Sequence, residues 1–387
     1  MDIDETALTE AAHALCRTPA FREAVWRLHP DRAAGANVAP PSLTIHPDDQ
    51  MLRHSLRGWR EVNPSLSQYY NVALQQYYAA RQTLQRLFGE KLDDLAVLDF
   101  ACGYGRLLRF LSRTLPPSRI WASDIQRGAV DFVAAEFGVH GVNSSADPDE
   151  FRPGRTFDFI WVASLFSHLP EALFRAWVAK LVSLLSPRGV LAFSVHDERL
   201  LAHGVAMPEQ GIHFVGTSEI EELDSRVYGT SFVRESFVAR VIRDAHGGRD
   251  WPYLRIPRGL ANEQDLYLVP RDAGRDLSGL AGFRRGAWGC VDICRTRGRE
   301  LELIGWAASL DDGPLETVSI RVGAREYTCP ITVNREDVPA VLGDPRLKPS
   351  GWEFKARMDA DEAFVVVSVA SKRGEQALLY AGPVRAG

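Results

Sequence analysis

The chain has 387 residues, of which 45% are hydrophobic, and a formal net charge of −5 at pH 7. Because single cores stop growing at roughly 250–300 residues, this length predicts two or three domains. The mild acidity and the lack of a basic block disfavour nucleic acid as a partner. No apolar run approaches the roughly 20 residues that cross a bilayer, and the N-terminus lacks the features of a signal peptide. These features predict a soluble, cytoplasmic protein.

The N-terminal segment, residues 1–90, is predicted to form a helical cover. The stretch SQYYNVALQQYYAARQTLQRLFG places apolar and aromatic residues at helical spacing, and Gly89 is suited to end that helix. Its tyrosines either pack within the helical segment or cover a ligand and stack on a planar group such as a sugar. They are Tyr69, Tyr70, Tyr77 and Tyr78.

Residues 91–270 alternate between strands and helices. The short apolar runs AVLDF, RIWASD, FDFIWVAS and VLAFSV are predicted strands, and amphipathic helices lie between them. A further helix, over about 234–245, precedes two more strand candidates, WPYLRI and DLYLV. This series predicts an α/β fold with a Rossmann-like, doubly wound parallel sheet and helices on both faces. The long segment 198–232 is predicted to act as a lid or substrate wall.

The character of the sequence changes after residue 270. Residues 271–284 are predicted to be a linker, and residues 285–387 consist of short alternating or apolar runs separated by turn residues. This pattern predicts a C-terminal antiparallel β-sandwich domain. Cys290 and Cys294 fit one of its strands, and no second Cys or His pair lies near them, so no metal site is predicted.

The segment VLDFACGYG, residues 97–105, joins the first predicted strand to a helix. Gly103 and Gly105 therefore lie at the carboxyl edge of the sheet, where open α/β sheets bind ligands, unless they form only a turn. Leu108 stands where a dinucleotide fingerprint has a small third residue, so a dehydrogenase fits poorly. Asp99, just before the loop, disfavours a pyrophosphate and suits a ligand with a cationic amino group.

Asp124 ends the second predicted strand, nineteen residues after Gly105. A carboxylate at this position can accept hydrogen bonds from both hydroxyls of a ribose, although it could also cap the following helix. The loop, Asp99 and Asp124 together describe a nucleoside ligand with a cationic amino-acid tail. S-adenosylmethionine has that form.

Four segments resemble the class I S-adenosylmethionine-dependent methyltransferases. VLDFACGYGRLLRFL is similar to their motif I, SRIWASDIQRGAVDF to their second strand, and FDFIWVASLFSHLPE and LLSPRGVLAFSVHD to their fourth and fifth strands. The resemblance extends over about residues 90–270 and implies S-adenosyl-L-methionine as the cofactor. It implies cofactor contacts by Asp99, Ala101, Gly103, Gly105, Asp124, Ile125 and Ser164. Ser144 follows a weak third strand and is predicted to approach either the adenine of the cofactor or the acceptor. Ala101 stands where the family commonly has its first glycine.

A hydroxyl that accepts a methyl group must lose its proton, and histidine is a suitable base near neutral pH. His196 follows the fifth strand and is the preferred catalytic base, with Asp197 to orient it. His168 follows the fourth strand and is the second catalytic candidate, although a similar His-Leu pair often begins a helix under the cofactor in this family. Both histidines could instead only line the sheet edge. Cys102, within the loop, is interpreted as a packing residue.

The acceptor is implied only by looser resemblances. GTSFV with IPRGLANEQDLYLV resembles methyltransferases associated with glycan and polysaccharide assembly, and the C-terminal segment resembles β-sandwich modules of glycan-modifying chains. A sugar or glycan hydroxyl is therefore expected, and Trp306 and Trp352 are candidates for sugar stacking unless they belong to the core. N- or C-methylation, a small natural product as acceptor, and a non-catalytic scaffold that binds a glycan or partner stay open. So does the oligomeric state.

Overall fold

The computed structural model describes residues 5–30, 40–217 and 224–387, and the chain forms two compact units. One unit comprises residues 76–283, and the other joins the residues up to 75 with residues 284–387. The sequence grouped residues 1–90 as a separate helical segment, whereas here the residues before 76 share a unit with the C-terminal sheets. Within the described ranges, no helix is both long and apolar enough to cross a membrane.

The N-terminal part of the chain is helical, as predicted. Its helices are α1 (Glu5–Cys16), α2 (Pro19–Trp26), α3 (Gln50–Trp59) and α4 (Val62–Phe88). The Asp49 carboxylate caps α3 by accepting hydrogen bonds from the backbone N–H groups of Met51 and Leu52. Gly89 ends α4 at a φ of 81°, which glycine adopts without strain.

The unit of residues 76–283 is built on a mixed sheet. Its strands are β1 (Val97–Phe100), β2 (Ile120–Asp124), β3 (His140–Asn143), β4 (Phe157–Val162), β5 (Leu185–Asp197), β6 (Ile212–Val215), β7 (Thr230–Val233), β8 (Leu254–Leu260) and β9 (Gln264–Pro270). The helices between them are α5 (Leu108–Thr114), α6 (Arg127–Phe137), α7 (Glu171–Ser183) and α8 (Glu235–Ala245). The strand order is β3-β2-β1-β4-β5-β7-β6, with β9 beside both β5 and β8.

The Rossmann-like prediction is confirmed for the strands that carry the glycine loop. β3, β2, β1, β4 and β5 are parallel neighbours, and β1 and β4 are buried at every residue. The sheet as a whole is mixed, because β9 runs antiparallel to β5 from Val190–Pro270 to Val195–Asp265. The next two residues of β5 pair instead with β7, as His196–Phe232 and Asp197–Val233. Strand β5 therefore changes neighbours at His196.

The C-terminal residues form two antiparallel sheets around one core. Their elements are β10 (Trp288–Arg297), β11 (Glu300–Ser309), β12 (Gly313–Pro314), β13 (Thr317–Val322), β14 (Arg325–Pro330), β15 (Val333–Asn334), α9 (Asp337–Leu342), β16 (Pro349–Arg357), β17 (Glu362–Ala370) and β18 (Gln376–Arg385). One sheet has the order β10-β11-β16-β15 with β12 on β11, and the other has the order β14-β13-β17-β18. Leu303 of the first sheet and Val367 of the second belong to the same buried cluster. This arrangement confirms the predicted antiparallel sandwich.

A row of polar side chains joins the first half of α4 to strand β18. Asn63 donates to the Pro383 carbonyl at 2.9 Å, Ser67 accepts from the Ala381 N–H at 2.8 Å, and Asn71 accepts from the Leu378 N–H at 3.1 Å. Asn63, Ser67 and Asn71 are spaced four residues apart, so they lie on one face of the helix. They satisfy backbone groups of an edge strand that would otherwise be unpaired. This contact explains why the residues up to 75 and residues 284–387 belong to the same compact unit.

The aromatic residues proposed for sugar stacking are mostly buried. Tyr69 and Tyr70 have no exposed surface, and their hydroxyls donate to Asp49 and to the Leu43 carbonyl, each at 2.6 Å. Trp352 is also fully buried, within the core of the sandwich. Trp306 is half-buried and packs against the smaller cluster around Leu347. Of the two alternatives, core packing therefore applies to Tyr69, Tyr70 and Trp352, because fully buried rings cannot stack on a sugar.

Candidate active site

The glycine loop makes a tight turn directly after β1. Cys102 donates its N–H to the Ser123 carbonyl at 3.0 Å, and Gly105 donates to the Cys102 carbonyl at 3.1 Å. Gly103 and Gly105 have φ values of 52° and 79°. A Cβ at Gly105 would lie 2.5 Å from a ring carbon of Phe137, whereas a Cβ at Gly103 would meet no atom within 4 Å. Gly105 therefore allows the loop to pack on α6, and Gly103 faces open space.

Asp124 ties the end of β2 to the loop. Its Oδ2 accepts from the Gly103 N–H and its Oδ1 from the Gln126 N–H, both at 2.9 Å. Helix α6 begins at Arg127, with Gln126 at its N-cap position. Asp124 is therefore not the helix cap, which was the alternative interpretation. Each carboxylate oxygen can still accept a hydrogen bond from a ligand.

Asp99 and Asp124 form a buried acidic pair beneath the loop. Their residues are 3% and 7% exposed. Burial, reinforced by the Asp124 carboxylate, raises the pKa of Asp99 to about 8. Burial also raises the pKa of Asp124, while backbone N–H groups oppose that shift. No basic side chain of the described residues lowers either pKa, so this pair is suited to a ligand that brings a positive charge.

The other predicted cofactor residues lie around the same edge of the sheet. The Ser144 N–H donates to the Asp124 carbonyl at 2.9 Å, directly after β3. Ile125 is 44% exposed, which is unusual for a large apolar side chain and fits a surface that a ligand covers. Burial raises the pKa of the Cys102 thiol well above its usual range. This thiol is therefore not an activated nucleophile.

Ala101 carries the backbone conformation expected of the missing glycine. Its φ is 59°, in the left-handed region, which costs a residue with a Cβ about 1–2 kcal/mol. We expect Ala101→Gly to leave the free energy of unfolding unchanged or to raise it by up to about 1 kcal/mol. Urea unfolding would measure this, with Ala122→Gly on buried strand β2 as the control that loses about 1 kcal/mol. A loss of stability in Ala101→Gly equal to that of the control would contradict the strain.

A polar network follows the ends of β4 and β5. Ser164 has a φ of 58°, and its N–H donates to Ser194 Oγ at 2.8 Å. Ser194 Oγ donates to Gln264 Oε1 at 2.7 Å. Gln264 Nε2 then reaches Ser164 Oγ at 3.0 Å and His196 Nε2 at 3.3 Å. Ser164, which the resemblance assigns to the cofactor, thus shares a network with the predicted base.

The hydrogen bonds of this network bear on the tautomer of His196. Ser194 Oγ accepts from the Ser164 N–H and donates to Gln264 Oε1. In this orientation the NH₂ group of Gln264, which can only donate, faces Ser164 Oγ and His196 Nε2. The 3.3 Å contact with His196 is therefore a hydrogen bond in the tautomer that leaves Nε2 without a proton. A lone pair at Nε2 is what a general base requires.

The predicted pairing of His196 with Asp197 is wrong. Adjacent strand residues point to opposite faces, and the Asp197 carboxylate instead accepts from Arg255 at 2.7 Å and from the Arg199 N–H at 3.1 Å. The side chain that contacts His196 is Gln264 and not Asp197. It could not be found from the sequence, because its place beside His196 follows from the antiparallel register of β9, in which the preceding pair is Val195–Asp265.

His168 is part of the support for the segment that leads into β7. Its Nδ1 donates to the Gly229 carbonyl at 2.7 Å, and its ring stacks on Tyr228 at 4.8 Å between centroids. The Gly229 N–H returns a bond to the His168 carbonyl at 2.8 Å. The ring centroids of His168 and His196 are 6.2 Å apart. Of the predicted lid, residues 218–223 lie outside the described ranges, and the described parts contain strands β6 and β7.

The described arrangement has the features of a methyltransferase of the S-adenosylmethionine-dependent class: a glycine loop after β1, a carboxylate after β2 and a polar edge after β4 and β5. A family model described as "Methyltransferase domain" matches residues 72–274, more than half of the chain. The chain therefore belongs to the methyltransferase-domain family, and the prediction of S-adenosyl-L-methionine as cofactor is confirmed. The chain has no match among curated proteins.

Solved structures are similar to part of the chain at low sequence identity. DesVI of Streptomyces venezuelae is 14% identical over 53% of this chain and 93% of its own, with a TM-score of 0.39. The magnesium protoporphyrin IX methyltransferase ChlM of Synechocystis PCC 6803, with bound SAH, is 16% identical over 58% and 97%, with a TM-score of 0.37. DhpI, in its complex with SAM and HEP, is 19% identical over 57% and 98%, with a TM-score of 0.35. These likenesses are too distant to bear on the acceptor.

Proposed function

We propose that this chain transfers a methyl group from S-adenosyl-L-methionine to a hydroxyl of a sugar or glycan, with His196 as the general base. The supporting observation is the position of His196 at the carboxyl edge of the sheet, where β5 changes neighbours and Nε2 lies 3.3 Å from Gln264 Nε2. The sugar rests on the resemblance of the segments around β7, β8 and β9 to methyltransferases of glycan assembly. We place the reaction in the cytoplasm, because the five cysteines are few, scattered and odd in number, which fits a reducing compartment.

Asp124 and Asp99 are proposed to bind the ribose and the amino-acid end of the cofactor, respectively. When bound, S-adenosylmethionine supplies a methyl group on a sulfonium that is ready for in-line displacement. Asp124 accepts hydrogen bonds from the ribose hydroxyls, and Asp99 helps to bind the cationic amino-acid end. Gly103, which faces open space, lets the ligand approach the backbone closely.

This assignment of Asp99 predicts a pH dependence of cofactor binding. In the free protein Asp99 is mostly protonated below its pKa of about 8, and a cationic ligand favours the carboxylate. Binding of S-adenosylhomocysteine therefore releases a proton, and the affinity should rise by up to about tenfold per pH unit between pH 6 and 8. Calorimetry in buffers of different ionisation enthalpy would count that proton. Asp99→Asn should bind with little pH dependence in this range, and proton uptake by the wild-type protein would contradict the assignment.

The network around His196 is proposed to prepare the acceptor hydroxyl. As the acceptor oxygen bonds to the methyl group, His196 Nε2 takes the proton that this oxygen loses. Gln264 is itself held by the Ser164 and Ser194 bonds, and its contact with Nε2 positions the ring of His196. The acceptor hydroxyl would take the place of this long contact when it binds. In the turn between β8 and β9, the buried carboxamide of Asn262 has no hydrogen-bond partner among the described residues. We include Asn262 as a candidate to bind the acceptor.

His196→Ala is the experiment that tests the proposed base. Full-length protein would be incubated with methyl-labelled S-adenosylmethionine and a glycan panel, and the best acceptor taken into single-turnover kinetics. We expect His196→Ala to slow methyl transfer by about 10²–10⁴-fold while the affinity for S-adenosylhomocysteine stays within about twofold.

The control variant is His54→Ala, an exposed histidine on helix α3, which should keep the wild-type rate. Unchanged turnover in His196→Ala would remove His196 from the base role. Label that appears only on amines, or on no glycan of the panel, would contradict O-methylation of a sugar.

A further inference from the structure

A polar groove lies on the outer face of the four-stranded sheet β14-β13-β17-β18, within the unit of residues up to 75 and 284–387. It has a volume of about 410 Å³ and runs between the end of α2 and the sheet. This volume falls in the range of small-ligand sites, about 300–1,000 Å³. The lining is polar, since strand residues that point away from the sandwich core form most of the floor. The groove plays no part in the methyl transfer proposed above.

Three hydroxyl groups form a row across the floor of the groove. In the sheet register, Ser319 of β13 lies opposite Thr328 of β14 on one side and opposite Ser368 of β17 on the other. Neighbouring strands are about 4.8 Å apart, so the row spans roughly 10 Å. No described residue forms a side-chain hydrogen bond with any of the three. A hydroxyl both donates and accepts, and this row therefore matches a ligand that itself carries a series of hydroxyls.

Positive charge lies two residues further along the same strands. Arg321 of β13 lies opposite Glu326 of β14 in the register. Arg27, directly after α2, takes part in ion pairs with Glu326 at 3.4 Å and with Glu23 at 3.0 Å. Arg321 itself forms no ion pair with any described residue. Its pKa is lowered by burial and by the charge of Arg27, while the carboxylates of Glu326 and Glu23 oppose that shift. The guanidinium of Arg321 thus lines the groove while both nearby carboxylates are paired with Arg27.

We propose that this groove binds a saccharide that carries a carboxylate, such as a uronic-acid oligosaccharide, with the carboxylate on Arg321 and the sugar hydroxyls on the row of Ser319, Thr328 and Ser368. An arginine and a carboxylate form paired, charge-assisted hydrogen bonds. The polar floor disfavours an apolar ligand, because its hydroxyls would lose water without gaining a partner. Gln376, at the start of β18, adds an amide that both donates and accepts at the same groove.

The test is calorimetric titration of the full-length protein without cofactor. The probes are trigalacturonic acid, a hyaluronan tetrasaccharide and sialyllactose, each beside its carboxyl methyl ester, which keeps the sugar and removes the charge. We expect at least one acid to bind, its ester to bind at least about tenfold more weakly, and the affinity of the acid to fall as salt is raised. Binding by none of the three acids, or equal binding of acid and ester, would overturn the proposal.

A pair of variants locates the binding. Arg321→Gln should weaken the acid at least about tenfold. Arg325→Gln removes the same charge from β14, where Arg325 pairs with Asp359 at 2.7 Å outside the groove, and should change the affinity by less than about twofold. An equal loss in both variants, or none in Arg321→Gln, would overturn the proposal. Should Arg321→Gln melt early, Ser319→Ala replaces it, with an expected loss of about threefold or more. Because no cofactor or turnover is involved, failure of the proposed methyl transfer would leave this result unaffected.

Discussion

Asp124→Ala is expected to weaken the binding of S-adenosylhomocysteine at least about 100-fold. A hydrogen bond to a charged acceptor contributes about 1.5–3 kcal/mol, and about 1.4 kcal/mol corresponds to a factor of ten in affinity. Two such bonds to the ribose hydroxyls account for the expected loss. The variant also releases the Gly103 and Gln126 N–H groups, both held at 2.9 Å by this carboxylate. Calorimetric titration at constant pH and salt measures the change.

Two further variants separate the ribose contact from general effects of charge. Asp131→Ala removes an exposed carboxylate from helix α6, seven residues on, and should bind within about twofold of the wild-type protein. Asp124→Asn keeps one acceptor oxygen and should fall between the wild-type protein and Asp124→Ala. Retention of wild-type affinity by a folded Asp124→Ala would show that the ribose hydroxyls bind elsewhere.

The sequence predicted those parts of the fold that depend on local pattern. Helix α8 lies at Glu235–Ala245, against an expected span of about 234–245. The run WPYLRI overlaps the start of β8, and the run DLYLV lies within β9. The loop after β1 was found because strand, glycines and helix follow one another directly in the chain. Gly105 shows why glycine is required there, since a side chain would enter the space of Phe137. The loop could be predicted because the residue types and the backbone conformation at this site both require glycine.

The features that the sequence did not reveal depend on pairings between distant segments. Nothing in ANEQDLYLV shows that its strand runs antiparallel to β5, and therefore nothing places Gln264 beside His196. Asp197 was chosen as orienter for its proximity in sequence, but strand alternation directs it to Arg255. The four-residue spacing of Asn63, Ser67 and Asn71 led to no prediction, because nothing local shows what these side chains contact. Its partner β18 lies some 300 residues away, as the separation of 307 between Asn71 and Leu378 illustrates.

Buried aromatic residues show a second limit of sequence interpretation. In the sequence, a tyrosine or tryptophan that lines a ligand site cannot be distinguished from one that fills a core. Tyr70 is distinguished only by its hydroxyl, which donates to the Leu43 carbonyl and so satisfies the polar group inside the protein. Trp352 is distinguished by Gly305 on the neighbouring strand, where a Cβ would lie 2.6 Å from its ring. Both observations require the partner residue, which the chain places far away or on another strand.

Gly105→Ala and Gly103→Ala are expected to separate folding from cofactor binding within one loop. At Gly105 the new Cβ would meet Phe137 at 2.5 Å and Val133 at 3.0 Å, at a φ of 79°. Overpacking costs about 1–3 kcal/mol and the left-handed conformation about 1–2 kcal/mol, so the free energy of unfolding should fall by about 2–5 kcal/mol. At Gly103, with a φ of 52° and no atom within 4 Å, only the conformational part applies.

The order of the two variants should reverse when ligand binding is measured. The methyl group of Gly103→Ala would enter the open space that we assign to the cofactor. A loss of stability of only about 1–2 kcal/mol should therefore accompany a loss of S-adenosylhomocysteine affinity of about tenfold or more. Gly105→Ala, once folded at low temperature, should bind more tightly than Gly103→Ala, because its methyl group faces α6 and not the ligand. Urea unfolding and calorimetric titration of both variants would measure the two effects. Equal losses of stability, or unchanged binding in Gly103→Ala, would mean that the cofactor does not pass over this face of the loop.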